Sequence, residues 1–146
     1  GTFEYEMASG VWNELQPGSY PFMDADYARN GTAPGALRFA QSLHVLTTVM
    51  STPSADRAIC DAGLKSMSFD SGLPLVAQRA GLAYVKASDE HGVLQADPAH
   101  PPAGWGERLR LVPGHCDPTV NLYDWLVGLR GDRVEAVWPV ARGTLG

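Results

Sequence analysis

A chain of 146 residues fits a single domain able to bury a core without disulfide or metal staples. Its formal charge of −5, with two lysines and nine arginines scattered along it, excludes a phosphate-backbone binder, whose affinity comes from clustered cations. No run of about 18 apolar residues exists to span a bilayer, and the opening GTFEYEMASG lacks the basic start and apolar stretch of a secretory leader.

The sequence therefore predicts a soluble, cytoplasmic protein with neither a nucleic acid nor a membrane as partner. Sixteen glycines and eleven prolines point to many turns between short elements. Two cysteines, Cys60 and Cys116, do not make a disulfide framework and are expected as free thiols.

Along the chain, Pro17-Gly18 predicts a turn before an extended run from Ser19 to Met23. In LRFAQSLHVLTTVMS, the residues Leu37, Phe39, Leu43, Val45 and Val49 share one face at a period of two, and the β-branched VLTTV favours extended backbone. That spacing predicts a long strand. The one stretch with helical character is Ser54 to Cys60. ICDAGLKSMSFDSG reads as two short strands with turns at Asp61-Ala62-Gly63 and Asp70-Ser71-Gly72. A strand from Leu82 to Ala87 ends in the polar tip SDEHG, and QADPAHPPAGWGE, with three prolines and two glycines, predicts a loop. RLRLV is a further strand, and NLYDWLVGLRGDRVEAVWPVARG reads as a hairpin turning at Gly131-Asp132. There is no internal repeat. The sum is a mainly β architecture with little helix, an antiparallel barrel or sandwich that hides its edges.

Between the last two segments lies PGHCDP, where three residues that favour metals stand in a row. If the backbone stays extended there, alternation puts His115 and Asp117 on one face and Cys116 on the other. An imidazole nitrogen with a carboxylate oxygen suits Zn²⁺, Mn²⁺ or another borderline divalent ion, whereas a Cys116 ligand would tilt the choice to Zn²⁺. Two ligands leave room for water or substrate, as Lewis-acid catalysis needs. The competing reading is an ordinary turn, with a loop His, a turn-stabilising Asp and a buried Cys116. The SDEHG tip, at a strand end, offers a second carboxylate cluster; His44 and His100 fit no ligand pattern. No glycine-rich phosphate loop and no Gly-x-Ser-x-Gly elbow occurs.

PGHCDPTVNLYD followed by DRVEAVWPVARG strongly resembles the C-terminal domain of the D-threonine aldolase and D-serine dehydratase family. LQPGSYPFMDADY, DAGLKSMSFDSG and ASDEHG resemble blocks of the same family in the same order, so the likeness covers residues 1–146 almost throughout. It implies a pyridoxal-phosphate enzyme of the alanine-racemase-like fold type, usually dimeric, in which an N-terminal barrel carries the cofactor and a C-terminal β domain caps the site. By the same likeness, the metal is held by a His and the residue two positions later, here His115 and Asp117, with Mn²⁺, Zn²⁺ or Mg²⁺ as the ion. The second ligand is Asp in the aldolase branch and tends to Cys in the dehydratase branch, so Asp117 favours the aldolase. The resemblance also gives Asp89 a role in holding metal-bound water and makes Gly1-Thr2 the tail of a loop contacting the cofactor phosphate.

The departure is the barrel. A Schiff base needs a lysine amine, and Lys65 and Lys86 do not match the family's cofactor lysine. The chain is thus expected to be inactive by itself and to work with an N-terminal barrel domain. Three functions stay open: retro-aldol cleavage of D-3-hydroxy-amino acids to glycine and an aldehyde; dehydration of D-serine or D-3-hydroxyaspartate to a 2-oxo acid and ammonia; or a non-catalytic metal-binding or dimerisation domain.

Overall fold

The protein is described by a computed structural model covering residues 2–30 and 37–142. Two short helices come first, α1 (Phe3–Ala8) and α2 (Ala25–Ala28), followed by strands β1 (Val45–Ser54), β2 (Arg57–Cys60), β3 (Leu75–Val76), β4 (Leu82–Ala87), β5 (Gly92–Ala96) and β6 (Arg108–Val112). The helix α3 (Cys116–Val120) then leads into a hairpin of β7 (Trp125–Arg130) and β8 (Arg133–Pro139). The architecture is mainly β, as the alternation predicts. No helix among the described residues is long and apolar enough to cross a membrane.

Six strands form one antiparallel sheet in the order β3-β6-β1-β2-β5-β4. Its outer strands β3 and β4 lie against each other, so the sheet is almost closed and hides most of its edge. The strand β1 is the spine. Its first half pairs with β6, Val45 opposite Leu111 and Thr48 opposite Arg108, and its second half pairs with β2 through two register shifts, at Val49/Ser51 and Ser51/Ser54. Such bulges sharpen local twist and help a sheet curl. Val45, Thr47 and Val49 are buried while Leu46 and Met50 are exposed, the period of two expected for a strand with one face inside. Met67, Leu94, Leu111, Cys60 and Tyr84 complete the core, and the Tyr84 hydroxyl donates to the Ala62 carbonyl at 2.8 Å.

The second sheet is the β7–β8 ribbon alone. Gly131 takes φ +59° in its turn, and the Trp138 ring lies over Gly128 where a Cβ would overlap it. Trp125, Val127, Leu129, Val134, Val137 and Trp138 all remain more than half exposed.

Several sequence expectations are corrected. The long strand starts at Val45 and not Leu37, because the amides of Ser42 and Leu43 are drawn to the Phe22 carbonyl, at 3.0 and 3.2 Å, away from any ladder. Ser54 to Cys60 is not helical: it is the β1–β2 hairpin, where Ala58 and Cys60 must alternate into the core and Asp56 accepts from Ser54 Oγ and Gln95 Nε2. Ser19 to Met23 is a turn, closed by the Phe22 and Met23 amides on the Ser19 carbonyl, with Met23 at φ +54°. The second short strand expected before Asp70 is a run of turns that drops Met67 into the core. Gln95 and Ala96, read as loop, end the strand β5.

Candidate metal centre

The PGHCDP bend follows the edge-side end of β6. His115 is extended, at φ −142° and ψ 124°, but Cys116 begins α3, so the extended geometry expected through Asp117 does not hold. Pro118 sits in the first helical turn, where its missing N–H has no intrahelical acceptor to serve. The pair still converges. His115 Nε2 lies 3.4 Å from Asp117 Oδ2, with His115 still extended at the cap and Asp117 in the first turn of α3. Both are accessible, the His115 side chain 27% exposed and that of Asp117 62%.

The other face of the imidazole is occupied by a residue that sequence reasoning treated only as part of a turn. His115 Nδ1 donates to Asp70 Oδ2 at 2.6 Å, and Ser68 Oγ donates to Asp70 Oδ1 at 2.5 Å. That hydrogen bond to Asp70 holds the His115 imidazole above its usual titration range, while Ser68 and then His115 hold the Asp70 carboxyl below its own. With Nδ1 carrying the proton, Nε2 presents its lone pair beside Asp117. The buried Thr119 fixes the arrangement from behind: its hydroxyl donates to the His115 carbonyl at 2.7 Å and accepts the Ser68 amide at 3.1 Å. Gly72 and Gly114 pack so closely that a Cβ on Gly114 would run into the Gly72 carbonyl oxygen. Asx-type turns at Ser68-x-Asp70 are a weak sequence signal; only the tertiary contact reveals the role of Asp70.

A third segment closes the site. The Ala25 and Asp26 amides donate to the carbonyls of Pro113 and Gly114 at 3.0 and 3.2 Å, tying α2 to the bend. Asp24, fully buried, accepts the Tyr27 amide on Oδ1 and the Cys116 amide on Oδ2, each at 2.7 Å. Ser19 Oγ lies 3.4 Å from Asp117 Oδ2 and also 3.4 Å from the Tyr27 hydroxyl. Ser19, Tyr20, Tyr27 and Thr2 line a cleft of about 510 Å³, and Asp117 is next to it through Ser19 without lining it. Cys116 is buried, and burial pushes its thiol up to about 12.

Of the other residues singled out by sequence, Thr2 precedes α1 and donates from Oγ1 to Glu6 Oε1 at 2.7 Å. Gly1 lies outside the described residues. Asp89 is exposed in the β4–β5 turn, where its carbonyl accepts the Lys65 amide at 2.9 Å; no hydrogen bond or ion pair joins it to His115 or Asp117 among the described residues. Lys65 is paired with Glu90 at 2.7 Å on the same exposed turn. Among the described residues no group of three or more His, Cys, Asp or Glu side chains is gathered as a ready-made metal cage. The donor set is a pair, a hard carboxylate and a borderline imidazole, open to solvent on one side. That fits a divalent ion whose remaining positions are taken by water or substrate.

A curled antiparallel β domain bearing an oriented His–Asp pair at its rim is the class defined by these features. Residues 42–129 match the family described as "Putative serine dehydratase domain", and the chain belongs to that family. It is 50% identical over 148 residues to the 3-hydroxy-D-aspartate aldolase of Paracoccus denitrificans (strain Pd 1222), an alignment covering 98% of this chain. The crystal structure of D-threonine aldolase from Filomicrobium marinum superimposes with a TM-score of 0.88 at 48% identity over 95% of the chain. A variant of D-threo-3-hydroxyaspartate dehydratase in its metal-free form matches with a TM-score of 0.63 at 28% identity over 86% of the chain. The chain spans 38% of the length of each of these three proteins.

Proposed function

We propose that this chain is the metal-binding β domain of a lyase that cleaves D-3-hydroxy-amino acids to glycine and an aldehyde. The observation that carries the reading is the His115–Asp117 pair, oriented by Asp70, in a chain half identical to an aldolase. His115 would hold the ion through Nε2 and Asp117 through a carboxylate oxygen. Bound there, a divalent ion such as Mn²⁺ or Zn²⁺ supplies Lewis acidity, lowering the pKa of a substrate hydroxyl. The residues of this chain do the rest. Asp70 keeps the proton on Nδ1, and so keeps Nε2 free to ligate. The Ser19 hydroxyl, which borders the Asp117 carboxylate, and the Tyr27 hydroxyl beside it line the cleft and would offer hydrogen bonds that orient a polar substrate.

Pyridoxal phosphate does not fit the lysines of this chain. Lys65 is ion-paired on an exposed turn and Lys86 projects from β4 into solvent, whereas a lysine linked to the cofactor has to sit in an enclosed site that orients it. The reading therefore assigns that cofactor to a barrel domain acting with this one, and predicts that this chain has no turnover by itself. A cytoplasmic homodimer is the assembly it entails.

The test is made in the full-length protein. His115→Ala should abolish metal-dependent release of aldehyde from D-threonine and related substrates, and full activity in that variant would remove the basis of the proposal. The dehydratase reading, supported by the 28% identical dehydratase structure, is separated by its products: 2-oxo acid and ammonia in place of aldehyde and glycine.

A further inference from the structure

We propose that Asp24 is a positioning residue for the cation pair, setting the spacing of His115 and Asp117 through the Cys116 amide, the first of the two peptide units that join them. The inference rests on the reading of that pair as a cation seat and goes beyond it by naming a residue that touches neither ligand side chain. Asp24 is fully buried and forms no ion pair among the described residues. A carboxylate in that position is costly unless strong donors satisfy it. Among the described residues two backbone amides donate to it at 2.7 Å, Tyr27 N–H in α2 on one oxygen and Cys116 N–H at the start of α3 on the other, with the buried Cys116 thiol as a further partner.

Capping α2 alone needs one oxygen and is done equally well by serine or asparagine. The second oxygen does something else. It pins the peptide joining His115 to Cys116, whose orientation decides where the imidazole leaves the chain and where α3 turns Asp117 to meet it. The backbone around Asp24 is built to hold this contact. Met23 adopts φ +54°, a conformation that a non-glycine residue enters at a cost, and the Ala25 and Asp26 amides are fastened to the Pro113 and Gly114 carbonyls.

The experiment is a Mn²⁺ titration of the full-length protein, with free ion read by electron paramagnetic resonance. It compares wild type, His115→Ala, Asp24→Asn, Asp24→Ser and Val49→Ala, a core variant in β1 that lowers stability far from the pair. Serine can cap α2 but is too short to reach Cys116 as well, so it serves even if the asparagine variant does not fold. Loss of an outer hydrogen-bond partner that orients a ligand weakens metal affinity by about 10–100-fold. A loss of that size is expected in Asp24→Asn and Asp24→Ser, with Val49→Ala staying within about twofold of wild type. Wild-type affinity in both Asp24 variants, beside lost affinity in His115→Ala, would overturn the role of Asp24 alone. So would an equal loss in Val49→Ala, which would reduce the effect to general stability. Wild-type affinity in His115→Ala would overturn the cation seat itself, and the positioning role with it.

Discussion

Asp70 and His115 are 45 residues apart in sequence, yet Asp70 Oδ2 accepts from His115 Nδ1 at 2.6 Å, and this one contact decides which imidazole nitrogen faces Asp117. A carboxylate behind a ligating histidine fixes its tautomer and ring orientation and raises its basicity.

Removing that carboxylate is therefore expected to weaken Mn²⁺ or Zn²⁺ binding by about 10–100-fold in Asp70→Ala, with Asp70→Asn, which keeps an acceptor oxygen, falling between. Calorimetric titration of the full-length variants measures it. Unchanged affinity in Asp70→Ala would show that the imidazole is oriented by something else.

Gly114→Ala puts a methyl group against the Gly72 carbonyl, which is backbone and cannot swing aside. The two loops must part, at about 1–3 kcal/mol, as for other overpacked sites. Calorimetry should record a lower Tm, and the downfield proton signal of a hydrogen-bonded His115 Nδ1–H should weaken as Asp70 is carried away. A variant with the melting temperature of wild type would refute the close approach.

Thr119 serves two neighbours with one hydroxyl while 1% exposed. Thr119→Val keeps the shape, strands the Ser68 amide and the His115 carbonyl, and should cost about 1–3 kcal/mol in urea unfolding. Thr119→Ser, which restores the hydroxyl, should recover most of it; equal losses in the two would assign the effect to packing.

His44 lies just before β1, half-buried, and burial holds its pKa below the usual value, against a raising contact with the Ser42 carbonyl; the nearby Arg110 cation lowers it further. Protons then bind the unfolded chain more readily than the folded one. The His44 contribution to stability is fully present above the ordinary imidazole value of about 6.5 and is lost as pH falls below it towards the lowered folded value. Unfolding free energies from pH 7.5 to 5.5 should fall less steeply in His44→Gln than in wild type. A steeper fall in the variant would reverse the sign.

The strand alternation of Val45 to Val49, the β4 run and RLRLV could be read from sequence because each buries one face at a period of two, and the terminal hairpin from its apolar runs on either side of the Gly131 turn, though both its strands stay largely exposed. Leu37, Phe39 and Leu43 fit the same period, but the Phe22 carbonyl competes for the amides of Ser42 and Leu43, and a tertiary partner of that kind leaves no periodic trace. The helix at Cys116 was hidden for a related reason. Five residues beginning Cys-Asp-Pro have little helical propensity, and the turn forms because Asp24, from far along the chain, satisfies its first amide. His115 and Asp117 were thus found as candidates by residue type and spacing, though by way of a strand geometry the chain does not adopt. Asp70, Thr119 and Asp24 were not singled out as part of the site, because their roles exist only once separate segments meet.

The hydrogen bond that Asp24 accepts from the Cys116 amide spans 92 residues. Closing so large a loop brings an entropy cost that nearby contacts do not share, and such long-range closures slow the approach to the native state. The His115–Asp117 pair is consequently assembled by the same event that joins the segment around Asp24 to the bend after β6. A nascent or half-collapsed polypeptide holds the imidazole and the carboxylate only as loose, separate side chains, and their pairing waits until the architecture is whole.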